Sequence, residues 1–197
     1  MKTGRNDHRR PLAALLLVGL LACAGCGSSG GGGGGGEGGV CKPPERKAAP
    51  AGTPFAIGGE YEVTVGVTID DCIGIDHEEI VTPMQIQEMT ETVAEVDLPV
   101  GGAGGECNRV EYARDVNTLE RFESKLIDIT PTCTVEHCVT TVLDFFDDGT
   151  VVGSEVNEFA PRDPMACMGD FSLCTIEVAI DGARCTDCFE CRPLGGP

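Results

Sequence analysis

The stretch Glu60–Asp70, which reads EYEVTVGVTID, decides the fold class of this chain. Its apolar side chains alternate with polar or small ones, and they are Tyr61, Val63, Val65, Val67 and Ile69. A period of two places all five on one face of a β-strand. The sequence therefore predicts a half-buried strand over these residues.

Two later segments carry similar strand signals. Val135–Phe159 reads as a hairpin with Asp147-Asp148-Gly149 at its turn. Leu173–Ile180 reads as another strand with Cys174, Ile176, Val178 and Ile180 on one face, followed by a turn at Asp181-Gly182. Repeated strands joined by tight turns predict a mainly β domain, either an antiparallel sandwich or a small barrel-like meander.

Two segments leave helix and strand as open alternatives. Thr82–Val96 begins with a capping-box pattern and a proline at the first helical position, which suits a short helix. Its β-branched residues suit a hairpin bent near residues 88–91 instead, and the neighbouring strands favour that hairpin. Asn117–Ile127 has apolar residues at helical spacing and is the second segment that a short helix would fit.

The N-terminus has the three parts of an export signal. Four basic residues among the first ten precede the apolar run Pro11–Ala22, and small residues follow it. A run of this length spans about 18 Å as a helix, too short for a hydrocarbon core of roughly 30 Å. We therefore expect residues 1–25 to be a signal peptide that is removed.

Residues 20–26, LLACAGC, resemble the lipobox of bacterial lipoproteins. That resemblance implies cleavage before a cysteine that becomes diacylated, with Cys26 as the expected site and Cys23 as the alternative. Cleavage before Cys26 leaves an even number of cysteines, which favours it in an oxidising compartment. Neither cysteine is followed by Asp, and the resemblance then implies a lipid anchor in the outer membrane of the cell envelope.

The rest of the chain divides by composition. Residues 26–54 are expected to form a tether, because Gly27–Gly39 is nearly pure Gly and Ser and Lys42–Pro54 is rich in proline. The glycine tract alone spans about 20 Å as a flexible coil. Residues 55–192 are expected to form one cysteine-rich domain, and residues 193–197 a short tail.

The chain has 12 cysteines, which in an exported protein most simply form disulfides. The candidates beyond the lipidation site are Cys41, Cys72, Cys107, Cys133, Cys138, Cys167, Cys174, Cys185, Cys188 and Cys191. Cys41 lies in the tether, where it could clip the tether to the domain. The close spacing of Cys185, Cys188 and Cys191 leaves a metal site or a redox dithiol as weaker alternatives.

Composition limits the function. The chain has 14 Lys+Arg against 32 Asp+Glu, so it lacks the basic footprint that nucleic-acid binding needs. No catalytic motif, metal-ligand set or cofactor fingerprint is recognisable. His77 and His137, the histidines after the signal, are interpreted as surface or turn residues, although a hydrolase would have to use one of them. We expect a lipid-anchored binding or structural module whose one definable partner is the bilayer.

Overall fold

A computed structural model of the chain describes residues 52–72, 79–100, 105–163, 165–167 and 173–190. Eight strands fill most of them: β1 (Gly59–Asp70), β2 (Ile80–Glu88), β3 (Val93–Val100), β4 (Glu106–Asp115), β5 (Thr118–Thr130), β6 (Cys133–Phe145), β7 (Thr150–Pro161) and β8 (Cys174–Cys185). Each strand pairs antiparallel with the next, and β1 also pairs with β8, so the sheet is a closed barrel. The prediction of a disulfide-stapled, barrel-like meander is confirmed. None of the described residues belongs to a helix that could cross a membrane.

The predicted strand at Glu60–Asp70 is β1, and its alternation holds for most of its length. Tyr61, Val63 and Val65 are buried in the barrel interior. A β-bulge between Val67 and Ile69 shifts the register against β8, and Ile69 is exposed. One extra residue reverses the faces of all that follow it, so the prediction that Ile69 lies on the buried face is wrong.

The two segments that left a helix open are both strands. Thr82–Val96 forms the end of β2 and the start of β3, and the hairpin bent near residues 88–91 is confirmed. Asn117–Ile127 falls almost entirely in β5, which pairs with β6 along its whole length. The helical spacing of apolar residues at this second segment was misleading, because cross-strand pairing outweighs local propensity.

The hairpin predicted for Val135–Phe159 is confirmed as β6 and β7, with its turn at residues 146–149. The turn predicted at Asp181-Gly182 is wrong, because β8 continues through it to Cys185. A Cβ atom on Gly182 would lie 2.5 Å from the carbonyl oxygen of Glu62 and 2.7 Å from Val63 Cγ1. Glycine here permits a close approach of β1 to β8 rather than a change of direction.

The two ends of the barrel differ. We call the rim formed by the short turns at residues 89–92, 116–117 and 146–149 the turn end, and the opposite rim the loop end. Two disulfides lie at the loop end, Cys72–Cys174 and Cys133–Cys167, with Cα–Cα distances of 5.0 and 4.8 Å. The disulfide Cys185–Cys188 lies at the turn end. Loops of the loop end are thus fastened covalently to neighbouring strands.

Residues 53–58, which we call the entry segment, lie across the turn end. The side chain of Asn117 donates to the carbonyl of Thr53 at 3.2 Å and accepts from the amide of Phe55 at 3.3 Å. The amide of Gly58 donates to Glu88 Oε1 at 2.6 Å. Ile57 is fully buried. The chain therefore enters the domain at the turn end and closes that end of the barrel.

Candidate functional site

The barrel interior is apolar on most sides, but one region of it is polar. The aliphatic core contains side chains from β1, β2, β3 and β8. Against it, β4 to β7 contribute a group of buried or nearly buried polar side chains, which we call the interior cluster: Tyr112, Arg121, His137, Thr141, Glu155 and Asn157. Buried polar groups are costly unless they are hydrogen-bonded, so a cluster of six requires an explanation.

Strand register brings these residues together. His137 and Thr141 lie on β6 at positions of the same parity as buried Val135 and Leu143. Cross-strand pairing places Glu155 of β7 directly opposite Thr141. Tyr112 and Arg121 come from β4 and β5, close to the place where those strands stop pairing. The alternation of each strand therefore aims these side chains at the same part of the interior.

A chain of hydrogen bonds connects the cluster. Thr141 Oγ1 lies 3.1 Å from Glu155 Oε2, and Asn157 Nδ2 donates to Glu155 Oε1 at 2.9 Å. The side chains of Thr141 and Arg121 lie near the Tyr112 hydroxyl, and both oppose the burial that raises its pKa. Arg121 forms an ion pair with Glu123 at the outer edge of the cluster. The hydrogen bonds thus link Thr141 through Glu155 and Asn157 to the buried ring of His137, and the ion pair is mostly buried.

The last link fixes the protonation of His137. Because Asn157 donates through Nδ2 to a carboxylate, its Oδ1 is the atom that faces His137 Nε2, at 2.9 Å. Nε2 must then carry the proton and donate, which leaves Nδ1 with a lone pair. His137 Nδ1 is buried and has no hydrogen-bond partner in the described part of the chain. The cluster therefore ends in an unused acceptor.

Burial shapes the charge of these groups. It lowers the pKa of His137, although the hydrogen bond to Asn157 opposes this, so the ring stays neutral at physiological pH. Burial raises the pKa of Glu155, against the hydrogen bonds from Asn157 and Thr141. Burial also raises the pKa of Tyr112 to about 12, with the charge of Glu155 adding to the effect. The ring of His137 stacks on Phe159, with centroids 4.3 Å apart.

The wall beside the cluster is incomplete. β4 and β5 pair only through three residue pairs next to their turn, from Asp115↔Thr118 to Ala113↔Glu120. Beyond them, residues 106–112 of β4 and 121–130 of β5 share no ladder pair, although all of these residues are described. We call this separation the β4–β5 gap. The β5 residues that face inward along it are Arg121, Glu123, Lys125 and Ile127. Lys125 lies opposite His137 in the register with β6.

The structure places the site residues predicted from sequence as follows. The interpretation of His137 as a surface residue is wrong, because it is 2% exposed on the inner face of β6. Its side-chain contacts are with Asn157 and Phe159, neither of which is a nucleophile. His77, Cys23, Cys26, Cys41 and Cys191 lie outside the described residues.

Eight cysteines of the described part are disulfide-bonded. Three of the pairs are Cys72–Cys174, Cys133–Cys167 and Cys185–Cys188, and Cys107 and Cys138 are disulfide-bonded as well. Because Cys185 and Cys188 bond to each other, they are not available together as metal ligands in this state. No group of three or more potential metal ligands occurs among the described residues.

Sequence reasoning missed five of the six residues in the interior cluster. A signal for them exists, because Glu155 and Asn157 share the parity of Val151 and Phe159 within the predicted hairpin. Polar residues on the apolar side of an alternating strand indicate a polar interior. In β5 the same signal was hidden, because Asn117–Ile127 was open to a helical interpretation.

The fold and the cluster together define the class: a closed, eight-stranded antiparallel barrel with a buried polar group and an interrupted wall. Comparisons of the chain with protein-family models, curated proteins and solved structures found no match.

Proposed function

We propose that this chain is an exported lipoprotein, anchored through an acylated cysteine at position 26, or at 23 in the alternative, whose barrel binds a small molecule and is not an enzyme. The signal-like N-terminus and the lipobox resemblance support the anchor. The oxidised cysteines of the domain support a compartment outside the cytosol. The outer membrane is the proposed destination, because neither cysteine is followed by Asp.

The single observation that carries the binding proposal is the unpartnered Nδ1 of His137 at the inner end of the cluster. A buried acceptor without a partner costs about 1–3 kcal/mol, and a ligand that donates a hydrogen bond would recover that free energy. Lys125 lies opposite His137 in the strand register, and its ammonium group would donate a hydrogen bond to an acceptor on the same ligand. The proposed ligand is therefore a small polar molecule with a donor close to an acceptor.

Access is the second requirement of this proposal. Nδ1 is covered in the structure, so a ligand can reach it only if part of the wall moves. Along the β4–β5 gap the two strands share no ladder hydrogen bonds, so they can separate further there without breaking any. Amides that face the gap should exchange with solvent faster than those of β6, which is paired on both sides.

Native mass spectrometry of the full chain, purified from its own host, tests the binding proposal. We expect a bound small molecule that denaturation releases, and we expect Lys125→Met to lose it. The matched control is Arg162→Met, which removes a positive charge at an exposed position. Circular dichroism of each variant checks folding. If no molecule is bound, or if both variants retain it equally, the interior cluster is only structural and the proposal fails.

Intact mass after thiol alkylation, with and without reduction, tests the anchor. Diacylation at Cys26 would add the mass of a diacylglyceryl group to a chain that lacks residues 1–25. The proposal also requires the ten remaining cysteines to react with the alkylating reagent only after reduction. An unacylated chain that retains its N-terminus would remove the basis for a lipoprotein.

The Cys185–Cys188 disulfide favours a second candidate function, which is thiol–disulfide exchange. A Cys-x-x-Cys pair bonded across two residues, and not fully buried, is the arrangement that redox-active dithiols use. Equilibration with glutathione would distinguish the two roles. A catalytic pair should have a reduction potential between roughly −270 and −120 mV, whereas a structural disulfide should have one below about −300 mV.

A further inference from the structure

The turn end exposes one large apolar side chain on each of its three hairpin turns. Met89, Val116 and Phe146 have exposed fractions of 55%, 36% and 41%. Single exposed apolar residues are common and need no explanation. Here, however, each of the three turns on the same rim carries one, which gives the rim an apolar residue at three places around its circumference.

The backbone of Val116 adds an independent observation. Its φ angle is 55°, in the left-handed region that glycine and asparagine adopt readily and β-branched residues avoid. The turn would form more easily with glycine at this position. A strained, exposed valine therefore serves no purpose in the stability of the turn, and strain of this kind points to a role for the side chain itself.

The position of the tether connects this rim with the membrane. The entry segment crosses the turn end, where Arg184 Nη2 donates to the carbonyl of Ala56 at 2.9 Å and Arg114 Nη2 to that of Phe55 at 3.2 Å. The tether that precedes it therefore leaves the domain at the turn end. The expected tether therefore joins an N-terminal lipid to this rim of the barrel and not to the loop end.

We infer that the turn end rests on the lipid headgroup layer, with Met89, Val116 and Phe146 inserted into it. This inference depends on the lipid anchor of the proposed function. Asp115, Asp147 and Asp148 lie beside the apolar residues, so the bilayer surface must be zwitterionic rather than anionic. The loop end, where the β4–β5 gap opens, then faces away from the membrane.

The chain contains no tryptophan, so one introduced tryptophan is a unique fluorophore. The full lipidated chain carrying Phe146→Trp would be reconstituted in phosphatidylcholine vesicles with and without brominated acyl chains. We expect a blue-shifted emission that brominated lipid quenches. The matched control is Leu126→Trp, an exposed apolar position on β5 towards the loop end, which should emit as in water and remain unquenched.

The loop end also exposes apolar side chains, including Val81 and Met165, so it could contact the membrane instead of the turn end. The Leu126→Trp control distinguishes these two orientations. Quenching of Leu126→Trp but not of Phe146→Trp would mean the opposite orientation and would overturn the inference. Equal quenching at both positions would mean that the barrel has no fixed orientation, which also overturns it. The addition of phosphatidylglycerol should reduce the quenching of Phe146→Trp, and an increase would contradict the zwitterionic surface.

Flotation of the vesicles separates failure of the inference from failure of the anchor. If the acylated chain floats but Phe146→Trp is not quenched, the anchor holds and the docking of the turn end is wrong. If the chain is unacylated and does not float, the lipoprotein proposal fails and the inference fails with it. The double variant Met89→Ser, Phe146→Ser should float with the vesicles as the natural chain does. When Val116→Trp is added to this double variant, brominated lipid should not quench the new tryptophan.

Discussion

The side-chain oxygen of Asn157 lies 2.9 Å from Nε2 of His137, and this contact determines which ring nitrogen of the histidine carries its proton. The assignment is independent of the protonation of Glu155. In either state Glu155 Oε1 accepts from Asn157, while Oε2 accepts from Thr141 or donates to it. The carboxyl group of Glu155 therefore fixes the orientation of the Asn157 amide, and that amide fixes the tautomer of the buried His137 ring.

His137 should make the protein sensitive to mild acid. Because burial lowers its pKa, the folded state takes up a proton less readily than the unfolded state, whose histidine titrates near 6.5. The free energy of unfolding should therefore fall as pH decreases below about 6.5. Urea denaturation between pH 5 and 8 measures this change. The NMR chemical shifts of the ring nitrogens should show the neutral, Nε2-protonated form above about pH 6.5. In His137→Gln the same acid-dependent loss should be absent.

Glu155 should have the opposite effect. Burial raises its pKa above that of an exposed glutamate, so the folded state loses stability as pH rises from about 4.5 to that raised value, and the loss persists at higher pH. Glu155→Gln should be more stable than the natural chain at pH 7 to 8, and the difference should disappear as pH falls towards 4.5. Melting temperatures over this range provide the test. Glu158→Gln, at an exposed position of the same strand, should show no such trend.

Replacement of Val116 by glycine should stabilise the domain. Glycine adopts a positive φ without steric cost, whereas a β-branched residue at φ 55° lowers the stability of the folded state by about 1–2 kcal/mol. We expect the free energy of unfolding to rise by about 1 kcal/mol, measured by chemical denaturation. Val152→Gly is the control, because Val152 is also exposed but lies in regular strand β7, where glycine should destabilise.

Gly182→Ala should be strongly destabilising. The added methyl group would overlap the backbone of β1 at Glu62 and the side chain of Val63, so the strands that close the barrel would have to separate. We expect a loss of about 1–3 kcal/mol in chemical denaturation. Gly66→Ala provides the comparison, since its methyl group would meet the flexible side chain of Glu79 at 3.3 Å, and it should have a much smaller effect. Equal losses for both variants would show that the close approach of β1 to β8 is unimportant.

The sequence contained most of the fold but little of the site. Strand positions follow from alternation, and β1, β6 and β7 could be predicted in this way. The bulge after Val67 could not, because an extra residue changes only the register against β8. Gly182 was misleading, since the same residue type suits a turn and a close contact between strands. His137 was assigned to the surface because polarity was weighed above its parity with Val135 and Val139.

The disulfide between Cys72 and Cys174 has a consequence for biogenesis. Four cysteines lie between its partners in the sequence: Cys107, Cys133, Cys138 and Cys167. A chain that emerges N-terminus first into an oxidising compartment would expose Cys72 to each of these thiols before Cys174 arrives. Co-translocational oxidation should therefore give mispaired species that need an isomerase for rescue. Oxidative refolding should be accelerated by a disulfide isomerase, and early species trapped by alkylation should contain Cys72 bonded to the wrong partner.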